Sequence, residues 1–308
     1  MDAVDTFHHH RHRLFSLAYR LLGTRADAED VVQDTWLRWR NADRAAIADP
    51  EAWLVTTATR LGIDRLRAAR ARREAYPGPW LPEPLHVGPG DGGQEAAGPA
   101  DDTHGPAQAL ERAEMVSLAF LAVLERLAPL ERAAFLLREV FEHDYASIAA
   151  MLGRSETACR QMVHRARARV AQARPRFAVD PRRHRMLLEK FIHAARTGDR
   201  EALQALLHAD AVLLADGGGK ALAAIRPLHG AGRIARLYWA LARRRGAEER
   251  LAPGLANGEP AILRFHGGRL TGLTVAASDE GLITALYTIT NPDKLADVTT
   301  RASRTSTG

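Results

Sequence analysis

The stretch YASIAAMLGRSETACRQMVHRARARV, Tyr145 to Val170, decides the reading of this chain. Its first eight residues predict a short helix from Tyr145 to Leu152, stopped by Gly153. After one intervening residue, Ser155 caps a second helix whose apolar face is Cys159, Val163, Ala166 and Val170. Two short helices joined by a glycine turn make a helix-turn-helix or an ordinary helical hairpin, and the exposed face separates the two. That face reads Thr157, Arg160, Gln161, His164, Arg165, Arg167 and Arg169, side chains that reach base edges and phosphates in a major groove. Arg160 and Gln161 are the expected base readers, with Ser155, Thr157, His164 and Arg165 beside them. Cys159 faces the other way, as a small core residue.

Upstream, the apolar stripe Leu14, Leu17, Ala18, Leu21 and Leu22 predicts an amphipathic helix, ended by Gly23 in a left-handed cap. Thr24 with Asp27 three residues later predicts a capping box for a second helix running to about Arg40. Asp49 followed by Pro50 opens a third helix, which carries Trp53, Leu54, Thr57, Ala58 and Leu61 inward. The second helix is acidic through Asp27, Glu29, Asp30 and Asp34, with Gln33 among them, in a chain of net charge +6. Carboxylates repel phosphate, so this face suits a basic protein surface rather than DNA. The third helix is the reverse: Arg60 to Arg73 holds six arginines against Asp64 alone. A second basic block, Arg154 to Arg185, holds ten against Glu156 and Asp180, and two separated blocks point to two contacts with a polyanion.

Residues 74–107 carry seven prolines, at 77, 79, 82, 84, 89, 99 and 106, and read as a linker. Helical periodicity resumes over 108–176. From Asp180-Pro181 the texture changes again. Helices at about 182–197 and 199–208, a strand at 211–215, a helix after Gly230 and strands at 261–265, 269–277 and 282–290 predict an α+β domain over 180–300. Residues 301–308 read as a disordered tail.

Of the 43 basic residues only three are lysine, and one cysteine in 308 residues excludes a disulfide framework or a multi-cysteine metal site. The pair His8 and His12 has helical metal-ligand spacing but no third spaced ligand, so no metal and no cofactor is expected. No secretory signal and no apolar run near the length of a membrane span is present, which predicts a soluble cytoplasmic protein.

The run Asp27 to Leu37 resembles the polymerase-binding helix of bacterial sigma factors of the extracytoplasmic-function type. Pro50 to Leu54 through Asp64 to Arg67 resembles their −10 helix, and the helix-turn-helix resembles their −35 reader. Gly78 to Pro84, Asp216 to Lys220 and Asn291 to Leu295 are similar to the SigJ-like subgroup, which carries a C-terminal SnoaL-like domain. The resemblance implies two all-α sigma domains, region 2 over 1–73 and region 4 over 108–176, then a cone-shaped, curved antiparallel SnoaL-like sheet. It implies core RNA polymerase as partner of Asp27, Glu29, Asp30, Gln33 and Asp34. It implies single-stranded −10 promoter DNA at Asn41, Asp43, Arg60, Arg65, Arg67 and Arg70, and duplex −35 DNA at the recognition helix.

A latch is expected where Trp80, Leu81, Pro82, Glu83 and Pro84 meet Asp216, Gly217, Gly218, Gly219 and Lys220, and Asn291, Pro292, Asp293, Lys294 and Leu295. Such a latch would let the third domain act in cis on a monomer free of polymerase. SnoaL-like folds include cyclases, but the strand interiors at 261–265, 269–277 and 282–290 hold no carboxylate or imidazole to move a proton. The domain therefore reads as regulatory or as a small-ligand sensor, not an enzyme. A helix-turn-helix regulator fused to a ligand-binding or cyclase domain is the alternative, and it needs no acidic polymerase helix.

Overall fold

The computed structural model describes residues 2–89, 117–173, 180–296 and 298. Expectations that fall on 90–107 of the linker, on 108–116, 174–176 and 299–300, and on the 301–308 tail lie outside the described residues. The chain forms two compact units: Met1–Ala75 with Val123–Ala173, and Tyr76–Ala122 with Arg174–Gly308.

The first unit is all helical. Helices α1 (Ala3–Leu22), α2 (Arg25–Arg40) and α3 (Pro50–Glu74) pack on one another, with a 3₁₀ turn at Arg44–Ala46 between the last two. The expected signals act as read. Gly23 adopts φ 76°, and the Thr24 hydroxyl accepts from the Asp27 amide while donating to the Asp27 carboxylate at 2.7 Å. Asp49 caps α3 ahead of Pro50. Leu14, Leu17, Ala18, Leu21 and Leu22 are all buried, worth about 2 kcal/mol for each leucine removed from water.

The buried face of α3 is broader than expected: Leu54, Val55, Ala58, Thr59, Gly62, Ile63, Leu66 and Ala69. Trp53, Thr57 and Leu61 are only half-buried, because α3 packs on α1 and α2 and also on two of the helices that follow. The later helices are α4 (Leu118–Leu124), whose residues up to Ala122 belong to the second unit, α5 (Pro129–Glu139), α6 (Tyr145–Leu152) and α7 (Glu156–Ala173). Helix α5 touches α1 and α3, and α6 touches α3. The two helical domains expected as separate segments thus share one unit.

The second unit contains α8 (Pro181–Thr197), α9 (Arg200–Ala205) and α10 (Ala231–Arg244). Its strands are β1 (Val87–Pro89), β2 (Leu207–Asp216), β3 (Leu228–His229), β4 (Glu249–Ala256), β5 (Glu259–His266), β6 (Arg269–Asp279) and β7 (Leu282–Ile289). They form one sheet in the order β1-β4-β5-β6-β7-β2-β3. Phe191 on α8, Ile234 and Tyr238 on α10, and Leu213, Ile262 and Leu286 on the sheet share the core.

The expected antiparallel meander is present in β5 to β7, with β4 extending it, and Glu280 and Gly281 turn β6 into β7, both at positive φ. The sheet is nevertheless mixed. Strands β2 and β7 pair in parallel, which the long crossover between them permits. Two further differences concern prolines. Strand β4, which carries Pro253, was not expected, and the proline-rich segment supplies β1 at the sheet's edge, where a missing amide costs no ladder bond.

Candidate nucleic-acid and polymerase interface

The recognition element of the first unit is a helix-turn-helix. Gly153 ends α6 in the left-handed region at φ 61°, and the Ser155 hydroxyl accepts from the Ala158 amide at 3.2 Å. Cys159, Val163, Ala166 and Val170 are buried. Thr157, Arg160, Gln161, His164 and Arg165 are exposed with Ser155. Arg160 pairs with Glu156 at 3.0 Å and lies over the Tyr145 ring, 4.4 Å from its centroid.

Farther along α7, Arg165 pairs with Glu131 of α5 at 2.9 Å, Arg169 also pairs with Glu131, and Arg167 pairs with Glu139 at 2.7 Å. The acids of α5 therefore orient the basic half of α7, while Thr157 and Gln161 in its first two turns stay exposed.

On α2, Glu29, Asp30 and Gln33 are exposed, Asp27 and Asp34 are half-buried, and Leu37 adds an exposed apolar side chain. Arg65 of α3 donates to Asp30 and to Asp34, each at 2.8 Å. The Asp34 bond is the main cause that raises the guanidinium's pKa. Residues expected to meet two different partners, polymerase and DNA, are here joined in one trio with a net negative charge.

The other −10 candidates divide. Asn41 and Asp43 are exposed in the loop after α2, where Asp43 caps the 3₁₀ turn. Arg67 pairs with Asp64 at 3.1 Å. Arg60 donates to the carbonyls of Met151 at 2.9 Å and Ala150 at 3.1 Å, at the end of α6. Arg70 donates to the carbonyls of Glu125 at 2.9 Å and Leu127, just past α4. Helix C-termini present partly negative, unsatisfied carbonyls, so these two guanidiniums are held by oxygens that a phosphate could replace. A groove lined by Arg60, Asp64 and Arg67 of α3 and by Met151, Gly153 and Arg154 of the helix-turn-helix lies beside them.

Sequence reasoning missed the group beneath. Glu125 accepts from Arg73 and Arg132, Arg132 reaches the Arg20 carbonyl at 2.9 Å, and Arg73 the Leu22 carbonyl at 2.7 Å. Burial pushes the Arg73 pKa down.

In the second unit the three expected latch segments converge on Asp216, which is fully buried. Its carboxylate accepts from the Leu81 amide at 2.8 Å, the Lys294 ammonium at 2.6 Å, the Tyr76 hydroxyl at 2.5 Å and the Gly218 amide at 3.1 Å. Lys294 also bonds the Leu81 carbonyl and stands 4.0 Å from the centre of the Trp80 ring. The Asn291 amide donates to Tyr76 at 2.9 Å, and the backbone amides of Thr290 and Asn291 donate to the Asp216 carbonyl. Gly218 sits at φ 60°, where a Cβ would collide with the Asn291 side chain.

Leu81, Pro82, Pro84 and Leu295 are buried, Gly217 is enclosed, and Pro292 with Asp293 starts a helical turn. Lys220 meets Asp293 at 2.6 Å on the exposed rim, beyond Gly219. Glu83 lies half-buried. Tyr76 is the member the sequence did not reveal; burial and Asp216 push its hydroxyl pKa up.

Residues 6–72 match the model of Sigma-70 region 2 and residues 117–170 that of Sigma-70, region 4. The ECF RNA polymerase sigma factor SigJ of Mycobacterium tuberculosis is 39% identical over 94% of this chain and 92% of its own. The chain belongs to the extracytoplasmic-function sigma factors.

The probable ECF RNA polymerase sigma factor SigI of the same species is 30% identical, over 93% of this chain and 92% of its own. The crystal structure of the M. tuberculosis extracytoplasmic-function sigma factor SigJ superimposes with a TM-score of 0.71 at 36% identity, covering 96% of this chain and 98% of that one. Sigma factors bind core RNA polymerase and promoter DNA, and they are not enzymes. Inside the C-terminal domain, Tyr238 bonds Thr274 and Thr288, and His184 bonds Ser278 at 2.8 Å. Among the described residues no helix is long and apolar enough to cross a membrane.

Proposed function

We propose that this sigma factor binds core polymerase through the exposed acids of α2, reads duplex −35 DNA with the first turns of α7, and holds −10 DNA on α3. Its C-terminal domain modulates these steps in cis, and the protein works in the cytoplasm, where core polymerase is. The observation that carries the cis reading is the bonding of the chain just beyond region 2. Tyr76 to Leu81 follow α3 directly, and their polar groups are bonded to Asp216, Asn291 and Lys294 of the SnoaL-like domain. A segment held this way cannot lengthen, so those residues add nothing to the reach of the chain between region 2 and region 4.

The pairing of Arg60 and Arg70 with region 4 carbonyls supports a second part of the reading. Promoter phosphates and these carbonyls compete for the same two guanidiniums, so −10 engagement requires the region 2 and region 4 helices to part.

Reconstitution with core polymerase, followed by transcript mapping, tests the assignment. Lys294→Ala and Trp80→Ala proteins are expected to bind core as wild type does and to give altered transcript yields. Unchanged yields from both would remove the cis reading, and failure of the wild-type chain to co-migrate with core enzyme would remove the whole.

A further inference from the structure

The region 4 match begins at residue 117, yet residues up to Ala122 pack with the C-terminal domain. Glu259, the first residue of β5, makes the connecting bonds. Its Oε1 accepts from the Leu118 amide at 2.7 Å and the Ala119 amide at 3.3 Å, and the Ser117 hydroxyl donates to the same carboxyl. The Ser117 hydroxyl oxygen in turn accepts from the Phe120 amide at 3.0 Å. First-turn amides have no partner inside their own helix, so a carboxylate 141 residues away in sequence serves as the cap of α4.

The surroundings of this carboxyl are unusual for a cap. Its donors are two amides and a hydroxyl, with no cation among the causes that shift it. Strand β4 sets Ala256 opposite it, and β6 sets Val275 opposite Ala261, two residues along. On α8, which also packs on β5, the titratable group turned to the sheet is His184, bonded to Ser278 and lowered in pKa by burial. Burial pushes the Glu259 carboxyl up to about 7.

We propose that Glu259 is a positioning residue that fixes the start of region 4 on the C-terminal domain, and that its hold is proton-linked, tightening as the pH falls. The inference deepens the cis reading given above and rests on it for its consequence in transcription. Both amides converge on Oε1, so Oε2 takes up a proton with neither bond lost. When the first turn of α4 leaves, the carboxyl returns to water and to its ordinary acidity. Docking therefore takes up a proton. The proton-linked part of the hold is fully present below the ordinary carboxylate range and is lost progressively as the pH rises through about 7, where the amide bonds remain.

Amide hydrogen exchange of the full chain tests this without polymerase. With intrinsic rates corrected, protection of the amides of Leu118 to Ala122 is expected to be about tenfold greater near pH 6 than near pH 8. Glu259→Gln is expected to abolish the pH dependence, and Glu259→Ala to lower protection at both pH values. A carboxyl NMR titration of wild-type protein should place the Glu259 midpoint near neutrality, a reading that holds even if the variants fold poorly. Equal protection at both pH values, a Glu259→Gln protein that keeps the dependence, or an ordinary carboxyl midpoint would each overturn the proposal. None of these results depends on whether Lys294→Ala alters transcription, so the two readings fail separately.

Discussion

Two ion clusters hold this chain together, one around Glu125 in the first unit and one around Asp216 in the second, and they differ in what encloses the charge. The Glu125 carboxylate and the Arg73 guanidinium each keep 14% of their side-chain surface in water. Around them, Arg60 and Arg70 reach backbone carbonyls beside an open groove. Asp216 has no exposed side-chain surface, and its partner Lys294 is boxed by Trp80 and Tyr76. Guanidiniums on wet carbonyls exchange readily for phosphates, whereas a desolvated lysine–carboxylate pair has no alternative partner to move to. The first cluster suits a joint that opens during promoter binding, and the second a clasp that stays shut.

Substitutions sharpen that contrast. The largest effect is expected for Lys294→Ala, which leaves Asp216 charged and buried and should cost about 3–5 kcal/mol in urea unfolding of the second unit. Glu125→Ala should cost slightly less, about 3 kcal/mol, because it strands the buried Arg132 guanidinium but leaves Arg73 and Arg132 one carbonyl partner each. Arg60→Ala, at an exposed site with two carbonyl bonds, should destabilise the first unit by about 1 kcal/mol in the same measurement. Lys220→Ala removes an exposed rim pair and should fall below about 0.5 kcal/mol. If Lys220→Ala matched Lys294→Ala, the distinction between clasp and rim would be lost.

His143 in the first unit and Glu259 in the second are expected to respond to acid with opposite signs. His143 lies between α5 and α6, with Arg13 of α1 bonded to the neighbouring Phe141 carbonyl, and burial followed by Arg13 lowers its pKa. A histidine depressed on folding contributes stability above its ordinary pKa and loses it as the pH falls through its folded value. The first unit should thus lose stability below about pH 6.5, while the Glu259 hold strengthens over the same range. Unfolding followed at several pH values by probes in each unit checks this, and His143→Gln should flatten the response of the first unit.

The sequence made the helical elements legible because their signals are local. Thr24 with Asp27, Asp49 with Pro50, and Gly153 with Ser155 each act within four residues, and the apolar periodicities of α1 and α7 need no distant partner. The convergence on Asp216 was legible only because three short segments resembled one subgroup. Tyr76, Glu125 and Glu259 carry no local mark, since, apart from Arg132 seven residues from Glu125, their partners lie 52 to 215 residues away. Arg60 and Arg70 show the same limit from the other side: spacing identified them as anion-binding side chains but not which anion-like group holds them. Strand β4 was hidden by Pro253 and Gly254, residues that normally signal a turn. Here Gly254 allows close approach, as a Cβ would strike Leu263 and the Gly88 carbonyl.

The central claim is that the α3 arginines hold region 4 until promoter DNA takes its place. Spin or fluorescent labels on Ala26→Cys and Ala168→Cys, two exposed positions outside the residues assigned to polymerase and DNA, in a chain whose native Cys159 is buried, report the distance between α2 and α7 directly. The account predicts one short distance in the isolated protein, a longer one with core polymerase and promoter DNA, and a partial shift toward the longer one in Arg60→Ala. A distance unchanged on forming the promoter complex would contradict it.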